Sequence, residues 1–139
     1  MTIEPRRFTA PTRTAADAAR EIGCTVAEIV KSIVFVADGA PVVVLLSGAD
    51  RADEARLAAA LAAGAVRRAT ADEAKAVTGY AIGGVPPFGH AAACRIVADA
   101  RLLSFDTVWA AAGLPDTVFP IAPAALISIS EALVADVAV

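Results

Sequence analysis

Two places in this chain carry residue types that an ordinary core or connecting loop does not need. One is Lys31, the only ionic residue between Ile29 and Val36. The other is the stretch T-G-Y-A-I-G-G-V-P-P-F-G-H, Thr78 to His90, which holds four of the nine glycines, two adjacent prolines and the only histidine. Gly83 and Gly84 lack a Cβ, so their backbone N–H groups can face a ligand without steric screening. Pro86 and Pro87 fix their own φ and keep the residue before each extended, so the loop holds its shape before anything binds. Such donors suit an oxyanion or a phosphate; the competing reading is a tight turn between buried strands. For Lys31 the alternatives are an ammonium that grips an anion and a stem that lies along apolar surface while its head reaches water. His90 reads either as a base or as a turn histidine bonded to backbone.

The elements that must position these groups follow from local signals. Thr14 is a plausible N-cap for a helix to about Ile22, with Gly23 as its stop. After a short turn, Val30 to Val36 and Val42 to Leu46 are β-branched runs joined by Asp38-Gly39, a hairpin turn. Their near-continuous apolar content predicts central strands covered on both faces. Ser47 to Asp50 turns the chain into a helix from about Ala52 to Ala63, with Leu57, Ala60 and Leu61 inward and Gly64 as its stop. Val66 to Ala69 reads as a strand with Arg67 and Arg68 as exposed charges. Thr70 and Glu73 form a capping box for a helix to Val77. Beyond the loop come strands at Cys94 to Val97, Val108 to Ala111 and Val118 to Ile121. A helix from Pro123 to about Ile129 and a last strand from Val134 to Ala138 complete the chain.

Composition narrows the function classes. At 139 residues the chain is one domain's length, with residues 1–12 as an N-terminal arm. Apolar residues make up 58% and aromatic residues 5%, so the core is built from small and branched aliphatic side chains. Twelve basic against fifteen acidic residues leave a net charge of −3, which excludes nucleic-acid binding by bulk basicity but not a local site. All twelve basic residues lie at or before Arg101, so a phosphate-facing surface must come from the first two thirds of the chain. Cys24, Cys94 and His90 show no metal-ligand spacing, which predicts chemistry without a metal or other cofactor. With no signal peptide and no membrane-spanning stretch, a cytoplasmic protein with no membrane partner is expected. Neither G-x-G-x-x-G after the first strand nor G-x-x-x-x-G-K-[ST] occurs, which excludes dinucleotide and P-loop readings.

Taken together, Ile29-Val30-Lys31-Ser32-Ile33-Val34-Phe35, Ser47-Gly48, Asp53-Glu54-Ala55, the glycine–proline loop and Asp99-Ala100-Arg101-Leu102-Leu103 resemble the YbaK/EbsC family of aminoacyl-tRNA deacylases. That family includes the editing domain inserted in bacterial prolyl-tRNA synthetases. The resemblance implies an α/β fold, a single domain with a curved, mixed, barrel-like sheet surrounded by helices. It also implies hydrolysis of the ester that joins a small amino acid to the terminal ribose of a mischarged tRNA. Lys31 and the backbone of Gly83, Gly84 and Gly89 become the catalytic set, with Ser32, Ser47, Pro87 and His90 on the substrate side. The implied partner is the acceptor end of an aminoacyl-tRNA; a homodimer and association with an aminoacyl-tRNA synthetase stay open. The late strand has Phe119 and Pro120 where the alanine-specific branch carries histidine and asparagine, so cysteine, alanine, serine and threonine all remain as substrates. The alternatives from other classes are a catalytically silent module that binds tRNA ends or a protein, and a homo-oligomeric scaffold.

Overall fold

The computed structural model describes residues 6–7, 15–80, 85–92, 94–112 and 117–139. In chain order the elements are β1 (Arg6–Arg7), α1 (Ala15–Ile22), β2 (Val30–Ala37), β3 (Ala40–Ser47), α2 (Glu54–Leu61), β4 (Val66–Arg68), α3 (Ala71–Thr78), β5 (Arg95–Asp99), β6 (Val108–Ala111), β7 (Thr117–Ile121), α4 (Pro123–Ser130) and β8 (Leu133–Ala135). Two 3-10 turns, Val26–Glu28 and Ala100–Ser104, join them.

The β2–β3 hairpin is the spine. Asp38 and Gly39 both take positive φ, 48° and 83°, which matches the right-handed twist of the strands they join. The Asp38 carboxylate accepts from Gly64 N and Ala65 N, and these bonds hold its pKa below the usual carboxylate range. They tie the hairpin tip to the connection between α2 and β4. Val42 to Leu46 are essentially inaccessible, because β3 lies between β2 and β5 and both of its faces are covered. Each leucine buried there contributes roughly 1.5–3 kcal/mol.

Alternation along the hairpin splits the core in two. Val30, Val34, Val43 and Leu45 face one cluster with Ala74, Leu102, Val108, Phe119 and Leu126. Phe35, Val42, Val44 and Leu46 face the other, with Leu57, Leu61 and Val137. The two are called here the loop face and the α2 face.

The barrel-like sheet expected from the resemblance is, among the described residues, two sheets that do not close. One runs β1-β7-β6 and the other β4-β2-β3-β5-β8. They meet through a single bridge, Ile29 to Trp109, because the other end of the same β2 edge is taken by β4, at Phe35 to Ala37. Pro120, which cannot donate to a ladder, lies beyond the part of β7 that pairs with β1.

The ends of α2 differ from expectation, since it starts at Glu54 behind the Asp53 cap and not at Ala52. The left-handed residue that stops α2 is Ala62 (φ 52°), not Gly64. Gly64 instead sits where its N–H meets Asp38, with room for a Cβ only 3.5 Å from that carboxylate. The Thr70–Glu73 capping box is present and Gly79 (φ 82°) ends α3. Gly23 (φ 86°) ends α1, whose proposed cap Thr14 lies outside the described residues, as does the turn at 113–116.

Candidate functional site

The glycine–proline loop leaves and re-enters the fold at one point. Gly79 N donates to Lys75 O, and on return Ala91 N and Ala92 N donate to Thr78 O and Val77 O at 3.0 and 2.9 Å. The loop is thus pinned to the carbonyls that end α3. Fully buried Thr78 reinforces the neck: its hydroxyl donates to Ala74 O at 2.7 Å and accepts from Tyr80 N at 3.1 Å. A Cβ on Gly79 would stand 3.2 Å from that of Ala91, on a backbone that already disfavours side chains.

Val85, Pro86 and Pro87 are buried, and Phe88 packs against Phe119 with ring centroids 5.9 Å apart. Pro87, expected on the substrate side, is thus buried. Gly83 and Gly84 lie outside the described residues. Gly89 is exposed with φ 76°, and nothing stands within 4 Å of where its Cβ would be. A ligand could therefore come close to its backbone.

His90 takes the backbone-bonded role. Its Nε2 lies 2.7 Å from Pro86 O, so Nε2–H donates to that carbonyl and Nδ1 turns to Cys94 Sγ at 3.7 Å. Burial pushes the Cys94 thiol up, away from the thiolate that a cysteine nucleophile needs.

Ser32 shares the loop face with Val30, Val34 and Leu45, its partner across the hairpin. Its Oγ is buried and has no hydrogen-bond partner. An unmet hydroxyl of this kind costs about 1–3 kcal/mol, which a bound polar group would recover.

Lys31, the next residue back, points to the α2 face. It pairs with Leu46 and lines an open cavity of about 700 Å³ together with Ile33, Phe35, Arg51, Ala52, Asp53, Glu54, Ala55, Arg68 and Val139. Its ammonium donates to Asp50 O. Burial lowers its pKa, the Asp50 carboxylate opposes that shift, and the like charges of Arg68 and Arg51 add to it. Ser32 and Lys31 therefore lie on opposite faces of the same strand, Ser32 on the side of the cluster against which Phe88 packs.

Ser47 serves the turn it opens. Its hydroxyl donates to Ala27 O at 2.7 Å and accepts from Ala49 N at 3.3 Å. Asp99, within the motif Asp99 to Leu103, is fully buried and accepts from Val137 N, Ala138 N and Arg101 N at 3.0, 3.3 and 3.3 Å. It fastens the C-terminal segment to the end of β5.

The sequence reading missed Arg68 as a pocket residue. It took Arg67 and Arg68 together as exposed charges, but alternation on β4 separates them. Arg67 pairs with Val36 and forks onto Glu73 at 2.8 Å twice, whereas Arg68 pairs with Phe35 on the cavity side. That parity was readable. Arg51 sits in an irregular connection with no periodicity to reveal its direction.

Among the described residues no group of three His, Cys, Asp or Glu side chains is placed to hold a metal, and no helix is long and apolar enough to cross a membrane.

The described part of the loop packs on one face of the hairpin and an open cavity lined by both cations and carboxylates lies on the other, within an α/β domain of mixed sheet. The chain belongs to the aminoacyl-tRNA editing domain family, whose profile matches residues 9–129. Its backbone superposes on a candidate trans-editing enzyme for prolyl tRNA synthetase with a TM-score of 0.93 and 38% identity, over 99% of this chain and 87% of that one. Proline–tRNA ligases are also similar. That of Lactobacillus gasseri is 46% identical over 71 residues, 51% of this chain and 13% of the ligase. That of Acidithiobacillus ferrooxidans is 37% identical over 91 residues, 66% of this chain and 16% of the ligase. The chain thus spans only a small part of the ligases it matches.

Proposed function

We propose that this chain is an aminoacyl-tRNA deacylase that hydrolyses the ester of a mischarged tRNA carrying a small amino acid. Whole-length likeness to the trans-editing protein carries this reading, and the site chemistry supports it. In the reaction water adds to the ester carbonyl carbon, the carbonyl oxygen becomes an oxyanion, and the bond to the ribose oxygen then breaks. The free amino acid leaves with the water oxygen, and the ribose hydroxyl takes back a proton.

The step needs donors aimed at the oxyanion, and unscreened backbone N–H groups supply them without a charged side chain. Gly83, Gly84 and Gly89 are assigned this role. Ser32 Oγ, buried and unpartnered, is assigned to a polar atom of the bound aminoacyl group. Lys31 holds the tRNA end as a point charge. Pro87 shapes the loop, and His90 stiffens it through Pro86 rather than acting as base. Ser47 acts through the turn after β3 rather than by touching substrate. The substrate class, from cysteine, alanine, serine and threonine, follows from the absence of any charge that the loop could offer to a large ionic side chain. The reaction is assigned without a metal, and its setting is the cytoplasm, where tRNA is charged.

The test is incubation with tRNAs mischarged with each of these amino acids, before and after dialysis against a chelator, scoring loss of the aminoacyl bond. Hydrolysis unaffected by the chelator is expected. A loss of rate restored by zinc removes the metal-free mechanism, and tight tRNA binding with no hydrolysis on any member makes the chain a binding module.

A further inference from the structure

A lysine head on its flexible stem is costly to order, and fixing it before a ligand arrives lowers the cost of binding that ligand. Lys31 is held in this way. Its ammonium donates to the backbone carbonyl of Asp50, which leaves two N–H donors for a ligand. Whatever holds that carbonyl therefore decides where the ammonium stands.

Two distant segments hold it. Asp50 closes the turn after β3, its N–H donating to Ser47 O at 3.0 Å. The start of this turn is tied to the segment before β2, by Gly48 N on Ile29 O at 2.6 Å and by the Ser47 hydroxyl on Ala27 O at 2.7 Å. Its end is tied to the 3-10 turn after β5, where the Arg101 guanidinium donates to Asp50 Oδ1 at 3.1 Å. Arg101 is itself seated: its N–H donates to the buried Asp99 carboxylate, and its carbonyl accepts from Ser104 Oγ at 2.7 Å.

Charge acts at the same point. The other charged groups in the cavity that Lys31 lines are Arg51, Asp53, Glu54 and Arg68. Asp53 is engaged, accepting from Ala55 N and Arg56 N at the start of α2 and meeting the Arg56 guanidinium. Burial and the two arginines push Lys31 toward its neutral form, and the Asp50 carboxylate opposes them.

We propose that Asp50 and Arg101 are positioning residues for Lys31, their ion pair fixing the turn whose carbonyl aims the ammonium. This deepens the deacylase reading and rests on it for what Lys31 does. Arg101 is half exposed and meets Asp50 through one contact, so the pair adds little to stability. Its effect lies in where it sets a carbonyl 19 residues from Lys31 in sequence.

Lys31 and Lys75 are the only lysines, so 13C-labelled lysine gives two Cε signals, which Lys31→Arg assigns. Wild type, Asp50→Asn, Arg101→Ala, Arg101→Lys and the Asp50→Asn/Arg101→Ala double variant are compared by NMR titration and relaxation of these signals. Melting and hydrolysis of mischarged tRNA at neutral pH are followed in parallel. Asp50→Asn should move the Lys31 midpoint below that of wild type, and Arg101→Ala should not. Both should raise the mobility of the Lys31 Cε while that of Lys75 stays the same. Arg101→Ala should slow hydrolysis roughly two- to fivefold, and Arg101→Lys should restore most of that loss. The double variant should be no slower than Asp50→Asn alone, because the two side chains act through one contact.

A Lys31 midpoint or mobility unchanged by Asp50→Asn overturns the proposal. So does a loss in Arg101→Ala that only follows its melting and is not restored by lysine. If the variants hydrolyse mischarged tRNA as fast as wild type, the positioning role falls and the deacylase reading survives alone. If wild type hydrolyses none of the mischarged tRNAs but Lys31 responds as stated, the positioning of Lys31 stands and the deacylase reading falls.

Discussion

Ser32 and Lys31 are neighbours in sequence and opposites in surroundings. On the loop face Ser32 Oγ is buried without a partner, and Phe88 docks on Phe119 of the same cluster. The α2 face around Lys31 is open and ionic, with Lys31, Arg51 and Arg68 lining it beside Asp53 and Glu54. In the proposed deacylation the difference would separate two demands of one reaction. A tetrahedral oxyanion is stabilised best by fixed dipoles in a site that excludes water, whereas an RNA backbone is held by charges that stay partly wet. A strand, whose successive side chains point to opposite sides, can present both kinds of surroundings from adjacent residues.

The largest effect that tests this division is expected at Asp99, which anchors the segment that floors the α2 face. Asp99→Ala removes the acceptor of three backbone N–H groups, two of them in the buried Val137–Ala138 pair. A loss of about 2–4 kcal/mol is expected. Hydrogen exchange should rise first at Val137 to Val139, with the neck of the loop at Thr78 and Ala91 protected longer. Equal loss at both would mean that the two faces do not open separately.

Next come the two neighbours themselves. Lys31→Ala should lower deacylation by roughly ten- to a hundredfold, equivalent to about 1.5–3 kcal/mol, and should lower RNA affinity with it. Ser32→Ala should lower deacylation while leaving RNA affinity intact, and it should melt at or slightly above the wild-type temperature, since it removes an unsatisfied buried group. If both variants lose RNA binding equally, the faces form one site.

The smallest effect is a pH dependence confined to the loop side. The Arg67 guanidinium, with Thr70 N, holds Glu73 down from 4.5 to about 2. A depressed carboxylate stabilises the fold fully above its unfolded pKa and loses that contribution as pH falls through the folded one. Wild type should therefore lose part of its stability between about pH 4.5 and pH 2 in acid titrations followed by circular dichroism. Glu73→Gln should flatten that window, with RNA binding at neutral pH unchanged.

The sequence by itself determined most of the scaffold. The hairpin was legible because Asp38-Gly39 demands positive φ between two β-branched runs, and α3 because its capping box and Gly79 are local chemistry. The family was legible because its loop residues stand in order at fixed spacing. Tertiary structure decided which faces the site residues occupy. The order of the residues cannot say which face each occupies; strand parity puts Lys31 on the α2 face of β2, and Phe88 of the loop docks on Phe119 in the cluster on the other face. It also decided that the sheets stay open and that α2 stops at Ala62, because the N–H of Gly64 is held by a carboxylate 26 residues away. Local propensity reads hydrogen bonds within a turn or two of chain. The pairing of Asp38 with Gly64, of Asp99 with the last residues, and of Arg68 with the cavity of Lys31 depends on how distant segments pack, which no local pattern encodes.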